Sequence, residues 1–175
     1  MELRKFIKTT IREYLNENVN DLNINSIVKY HKENNTPTIT YIESNNINIV
    51  DYFKNKLIEL SEIRNKNKIT IYRIIDDSTF INKLKNLDKI NLGSYWSYNK
   101  QSAIDNFNYG DTNILLIGEI NTNIIEFNLT NELNTFGDWV YEDEIRLMKG
   151  KEISIKTIYK NSKKIKFDEN IKFFS

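Results

Sequence analysis

Two glutamates separated by a single residue, Glu142 and Glu144, lie in a segment that is bracketed by Gly137 and Gly150. The alternation around them predicts a strand, so both glutamates and Arg146 are expected on one strand face. Carboxylates on one face stand roughly 6.5–7 Å apart, and at that separation they repel and split their pKa values. The pair is therefore either ordinary surface charge on an edge strand or a pair of acids that performs chemistry.

Arg73 is the next candidate, because it interrupts an apolar strand that is predicted over residues 69–75. A charge near the end of a buried strand needs a partner or a ligand. One interpretation is a structural ion pair with a nearby acid. The other is an anion site, since an arginine can hold a phosphate through two hydrogen bonds.

Residues 92–99 combine aromatic and hydroxyl side chains and lead into a helix that is predicted over residues 100–106. The candidates within this segment are Ser94, Trp96, Ser97 and Tyr98. Aromatic rings at these positions suit either a strand core or stacking on a ligand. Ser97 is either a hydrogen bond at the end of a strand or part of a site.

The elements that must position these residues are helical in the first third of the chain and mostly extended afterwards. Apolar periodicity predicts helices over residues 2–17, 27–32 and 47–64, an extended piece over residues 38–42 after Pro37, and strands over residues 69–75, 113–120, 124–127, 153–159 and 165–167. His31 is expected at the surface of the second helix. This order indicates an α+β fold in which a helical region, residues 1–67, packs on a core of residues 68–175 within a single compact domain.

The composition excludes several classes of site. The 175 residues include no cysteine and one histidine, so disulfides, thiolate chemistry and multi-histidine metal sites are excluded, and no metal is predicted. A net charge of +1 gives no global field that would attract nucleic acid or anionic lipid. Every apolar run is short and interrupted by charge, so we expect a cytoplasmic protein without a signal peptide or membrane span. The oligomeric state is left open.

The three unusual features occur in a fixed order: an arginine that ends a buried strand, an aromatic and hydroxyl strand that leads into a helix, and an acid–x–acid strand. In this order the segment 68–159 resembles the mono-ADP-ribosyltransferases of the toxin-like Arg–Ser–Glu class. The resemblance implies helices followed by a mainly antiparallel two-sheet β core with an NAD cleft, and NAD as co-substrate without a metal. It also implies that Arg73 holds NAD and that Ser97, with Ser94 as a substitute one register away, supports the site. Glu144 would be catalytic and Glu142 would activate a protein acceptor, with arginine as the modified side chain.

The chemistry suits these residue types. A carboxylate near the ribose can stabilise the positive charge that develops as nicotinamide leaves. Trp96, Tyr98 or Phe107 could stack on nicotinamide. The second carboxylate could take a proton from the incoming nucleophile.

A loop is predicted over residues 129–138, directly before the acid pair, and displays Phe136 and Trp139. With Tyr141, these aromatic residues are candidates for recognition of the acceptor, and the alternative is that Trp139 folds back into the core. Two other functions stay open: a non-enzymatic protein-interaction module that presents this loop and the basic first helix, and an NAD glycohydrolase. A protein of this size without a secretion signal is compatible with a phage or bacterial effector.

Overall fold

The computed structural model describes residues 24–75, 79–106 and 113–175. The helix expected over residues 2–17 and the stacking candidate Phe107 lie outside the described residues. The chain divides into two compact units, one made of residues 1–62 and 127–141 and the other of residues 63–126 and 142–175. The division expected from the sequence, at residue 67, did not anticipate that residues 127–141 group with the helices.

The described part of the first unit contains four helices: α1 (Ile24–Asn34), α2 (Pro37–Ser44), α3 (Ile49–Arg64) and α6 (Phe127–Phe136). Ile27, Ile42, Phe53 and Val140 form its buried apolar cluster. The extended piece expected after Pro37 is wrong, because helix α2 begins at this proline. A proline in the first helical turn loses no hydrogen bond and already has a helical φ, so the same residue that suggested extension starts a helix.

His31 is fully buried, and its expected surface position is wrong. Its ring lies between two hydrogen-bond partners, with Nδ1 2.7 Å from the Thr36 hydroxyl and Nε2 2.7 Å from the Thr135 carbonyl oxygen. The ring also stacks on Phe53 at a centroid distance of 4.8 Å. Burial lowers the pKa of His31, so the neutral ring that these partners satisfy is favoured.

The loop predicted over residues 129–138 is largely the helix α6, and the strand predicted over residues 124–127 is absent from the described chain. In its place stand a 3₁₀ turn (Thr122–Ile124) and a single bridge between Ile125 and Leu147. Helix α6 buries polar side chains, namely Thr130, Asn131, Asn134 and Thr135. The Asn134 side-chain amide and the Thr135 hydroxyl donate hydrogen bonds to carbonyl oxygens one turn earlier, at 2.8 and 2.6 Å. A helix with a polar buried face has no apolar stripe, which is why the sequence pattern missed it.

The second unit contains the β-strands and two short helices. Its elements are β1 (Lys68–Ile75), α4 (Phe80–Asn86), β2 (Lys89–Asn91), β3 (Tyr95–Ser97), α5 (Lys100–Asn106), β4 (Ile114–Asn121), β5 (Glu144–Arg146), β6 (Glu152–Lys160), β7 (Lys163–Ile165) and β8 (Lys172–Phe174). The strands follow the order β2-β8-β6-β4-β1-β3-β5, and β7 pairs with β6. The pair of β2 and β8 is parallel, and the other strand pairs are antiparallel. The α+β class is therefore confirmed, with helices beside a mixed open sheet.

The resemblance implied a two-sheet core, but the strands form one connected sheet. Strand β6 is the reason, since it pairs with β4 along one edge and with both β8 and β7 along the other. The central position predicted for β1 is confirmed, because β1 lies between β4 and β3 and Ile71 is fully buried.

The acid strand is shorter than predicted. Strand β5 begins at Glu144, while Glu142 ends a 3₁₀ turn (Val140–Glu142). The prediction that both glutamates share one strand face is therefore wrong. Asp143, which stands between them, has a φ of 53°, in the left-handed region. That conformation interrupts the extended backbone on which the period-two argument depended.

Candidate active site

A cavity of about 360 Å³ in the second unit brings together three of the predicted site residues, Arg73, Ser97 and Glu144. Its remaining walls come from Tyr72, Ile74, Tyr95 and Trp96. Among the residues that the structure describes, Glu142 does not line this cavity. The expectation that four residues share one cleft thus holds for three of them.

The sheet order explains how residues distant in the chain meet. Strand β3 lies between β1 and β5. Its residue Ser97 is paired with Tyr72 on one side and with Glu144 on the other. Arg73 follows Tyr72 directly, so it stands one position from this row of paired residues. Adjacent strands are about 4.8 Å apart, which keeps side chains from all three within reach of one ligand.

Arg73 is half-buried and held from several directions. Its Nη1 donates a hydrogen bond to the Tyr95 carbonyl oxygen, and the centre of its guanidinium lies 5.9 Å from the centroid of the Trp96 ring. Gly93 has a φ of +80°, and a β-carbon there would lie 3.4 Å from both terminal nitrogens of Arg73. A glycine therefore serves both the turn and the close approach of the guanidinium.

Burial lowers the pKa of Arg73, and the negative charge of Glu144 acts in the opposite direction. The pKa of Glu144 is raised overall, because burial raises it more than the positive charge of Arg73 lowers it. The two groups thus favour each other's charged forms. An arginine keeps its proton in proteins even when its pKa falls, so the cavity contains a fixed cation beside a carboxylate.

Ser97 is buried, and its hydroxyl holds backbone groups. Its Oγ accepts a hydrogen bond from the Asn99 N–H at 3.1 Å. As a donor, Oγ lies 2.8 Å from the Asn99 carbonyl oxygen and 3.0 Å from that of Glu142. The predicted strand-end hydrogen bond is confirmed, and the same hydroxyl also reaches the 3₁₀ turn that ends at Glu142.

The charge on Glu142 is disfavoured more than that on Glu144. Burial, followed by the nearby charge of Glu144, raises the pKa of Glu142 to about 7. A carboxylate that titrates near neutral pH is suited to accept and release a proton during turnover.

The other candidates of residues 92–99 have mainly structural surroundings. Trp96 is only 1% exposed and its indole N–H donates to the Gly93 carbonyl oxygen at 3.0 Å, so it is a cavity wall rather than a stacking surface. The Ser94 carbonyl oxygen accepts the Leu147 N–H at 2.8 Å. The Tyr98 N–H donates to the Asp143 carbonyl oxygen at 3.0 Å. Stacking by Trp96 is accordingly wrong, and neither Ser94 nor Tyr98 lines the cavity among the described residues.

Sequence reasoning missed Tyr95, which lines the cavity and is 45% exposed. The guanidinium carbon of Arg146 lies 4.4 Å from the centroid of its ring, and Arg146 pairs in turn with Glu126 at 3.2 Å. Tyr95 thus offers an aromatic surface at the cavity where Trp96 does not. The alternation of side chains along β3 could have identified Tyr95, because it places Tyr95 on the face opposite to Trp96.

The three residues proposed for acceptor recognition lie in the first unit. Phe136 is half-buried and packs edge-to-face on Tyr30 at 5.4 Å, so its predicted exposure is wrong. Trp139 is 53% exposed, as predicted, and meets Tyr141 edge-to-face at 5.7 Å. Tyr141 stacks on Tyr41 at 4.7 Å. Trp139 is therefore the most exposed member of an aromatic row in which Tyr41 is also exposed.

In the described ranges, no group of three or more histidine, cysteine or acidic side chains is placed to hold a metal ion. None of the helices in those ranges has the length and apolar content that crossing a bilayer requires. No protein-family model, curated protein or solved structure matches this chain.

Proposed function

We propose that this chain is an NAD-dependent mono-ADP-ribosyltransferase that transfers ADP-ribose to a protein acceptor, with arginine as the modified side chain. One observation carries the proposal: Arg73 and Glu144, from two different strands, line one cavity and stabilise each other's charge. An anion-binding cation next to a carboxylate is the combination that a dinucleotide and its scissile bond require.

The residues present fit NAD. Arg73 supplies a guanidinium for the pyrophosphate, and the lack of a side chain at Gly93 leaves room for that group. Tyr95 supplies an exposed aromatic surface for a ring of the dinucleotide. A cavity of about 360 Å³ is at the small end of ligand pockets, which span roughly 300–1,000 Å³, so it suits one end of NAD rather than the whole molecule.

The proposed reaction breaks the bond between nicotinamide and the ribose carbon. The bonding electrons leave with nicotinamide, whose ring nitrogen loses its positive charge. Glu144 stabilises the positive charge that develops on the ribose carbon. The acceptor nitrogen then bonds to that carbon, and Glu142 takes the proton that the acceptor loses, in keeping with its pKa near 7.

An NAD glycohydrolase is the second candidate, and one observation favours it. Glu142 is absent from the described lining of the cavity, whereas Arg73 and Glu144 are both part of it. Water could therefore replace the protein acceptor without any change in the cavity itself.

Two measurements test the proposal. Calorimetric titration with NAD should detect binding that Arg73→Ala weakens and a matched surface variant, Arg64→Ala, does not. Incubation with NAD labelled in the adenine ring and a bacterial lysate should then label protein, and free arginine should compete. Release of nicotinamide without labelled protein would identify a glycohydrolase. A folded protein that does not bind NAD would reject both enzymes and leave the interaction module.

A further inference from the structure

The segment that contains the two glutamates changes its backbone direction at Asp143. Glu142 ends a 3₁₀ turn, Glu144 begins β5, and Asp143 between them has a φ of 53°. Among residues with a side chain, Asp and Asn adopt this conformation most readily. A continuous strand would instead have placed the two glutamates on one face, roughly 6.5–7 Å apart.

Asp143 is only 5% exposed, although it is acidic. Ser102, on α5, donates a hydrogen bond from its hydroxyl to Oδ2 of Asp143. The Asp143 carbonyl oxygen accepts the Tyr98 N–H at 3.0 Å. A buried carboxylate is tolerated when it is hydrogen-bonded. These two bonds tie the turn to α5 and to Tyr98, which directly follows β3.

The last residue of β3, Ser97, holds the residue before Asp143. The Ser97 hydroxyl lies 3.0 Å from the Glu142 carbonyl oxygen. Asn99 caps α5 through its side chain, which accepts the N–H groups of Gln101 and Ser102 at 2.9 and 3.3 Å. The anchor of Asp143 is therefore itself fixed at the start of a capped helix.

We infer that Asp143 is a positioning residue of this site: its left-handed backbone, anchored through its carboxylate to Ser102, holds Glu142 off strand β5 while Glu144 stays on the strand beside Arg73. The inference rests on the proposed function only for its activity measurement. Its consequence is that the two acids have different surroundings, so one can serve the cavity and the other the acceptor.

The test compares Asp143→Ala with Asp143→Asn. Alanine takes the left-handed conformation far less readily and cannot bond Ser102, whereas asparagine retains both abilities. In Asp143→Ala, the pKa of Glu142 measured by NMR titration of the glutamate side chains should fall by about one pH unit toward its ordinary value, because Glu142 leaves the buried position that is the main cause of its raised pKa. The ratio of transfer to NAD hydrolysis should fall about tenfold, because a misplaced group loses rate without losing substrate binding.

In Asp143→Asn, the pKa of Glu142 should stay within about 0.3 pH unit of its value in the original protein. The ratio of transfer to NAD hydrolysis should stay within about twofold. Asp105→Ala, at an exposed acid on the same helix as Ser102, is the matched control and should change neither. If Asp143→Ala fails to fold, Ser102→Ala provides the second test. It should lower the ratio of transfer to NAD hydrolysis about threefold.

A folded Asp143→Ala protein with an unchanged Glu142 pKa and an unchanged ratio would overturn the inference. The NMR titration needs no substrate, so it distinguishes this result from failure of the proposed function. If the protein has no NAD activity but its Glu142 pKa still depends on Asp143, the positioning role of Asp143 holds and the proposed enzymatic function fails.

Discussion

Ser97 and Glu144 are direct partners in the antiparallel pair of β3 and β5, and both side chains line the cavity that contains Arg73. The serine hydroxyl simultaneously reaches the Glu142 carbonyl oxygen at 3.0 Å. One residue of β3 thus touches the backbone that orients both glutamates.

Replacing Arg73 with alanine should weaken NAD binding by about 1.5–3 kcal/mol, the range for hydrogen bonds to charged groups. Arg73→Lys should recover only part of the loss, because an ammonium cannot reproduce two parallel hydrogen bonds or the contact with Gly93. Calorimetric titration measures both. Equal NAD affinity in a folded Arg73→Ala protein would leave a structural ion pair as the better interpretation.

The two glutamates should differ in what their loss removes. Glu144→Gln should reduce both transfer and NAD hydrolysis by on the order of 10²–10³-fold, because it removes a charge beside the reacting bond. Glu142→Gln should reduce transfer by about 10²-fold and leave most of the hydrolysis, since water needs less activation. The ratio of labelled protein to released nicotinamide measures the difference. The opposite pattern in the two variants would reverse the assignment.

The pH dependence should report Glu142. Its pKa in the folded protein is about 7, above the ordinary 4.5, so the folded state binds more protons than the unfolded state between these values. The contribution of Glu142 to the free energy of unfolding should therefore decrease as pH rises from about 4.5 to about 7, while transfer should increase through pH 7 as the base loses its proton. Denaturant titrations across this range test the first effect, and Glu142→Gln should flatten both profiles. Profiles identical in the two proteins would contradict this account.

Trp139 rather than Phe136 is the residue that tests acceptor recognition. Trp139 is exposed, whereas Phe136 packs within the first unit. Trp139→Ala should change which lysate proteins are labelled and leave NAD hydrolysis within about twofold. Phe136→Ala should lower the midpoint of thermal unfolding instead, since it removes a packed ring. Equal loss of labelling and hydrolysis in Trp139→Ala would argue against a recognition role.

Lys56 is only 6% exposed in the helical unit, and its ammonium lies 5.5 Å from the centroid of the Tyr52 ring. Burial lowers the pKa of Lys56 from 10.5 to about 8, so between these values the folded state holds fewer protons than the unfolded state. The free energy of unfolding should therefore increase as pH rises from about 8 to about 10.5. Lys56→Met should abolish this increase, because methionine has a similar volume and no group that titrates. An unchanged dependence on pH in a folded Lys56→Met protein would contradict the assignment to Lys56.

The sequence alone was sufficient for the strongly periodic elements. Helix α3 and strands β1, β4 and β6 were predicted from the spacing of apolar residues, which depends only on the local repeat of the backbone. Helix α5, predicted over residues 100–106, was correct for the same reason, and its cap by Asn99 needs only neighbouring residues. Arg73, Ser97 and Glu144 are likewise marked as candidates by residue type alone, since a charge or hydroxyl within an apolar or aromatic strand departs from the local pattern.

Tertiary structure decided what depends on distant partners. Helix α6 has a polar buried face, and His31 is buried between Thr36 and Thr135, so hydrophobicity signalled neither. The order of the strands brought Arg73 and Glu144 to one cavity, which no local pattern specifies. Most decisive is Asp143, whose left-handed backbone is held by Ser102 across the fold. It separates two glutamates that a period of two would have placed on one face, because a single residue held by distant hydrogen bonds can interrupt a local repeat.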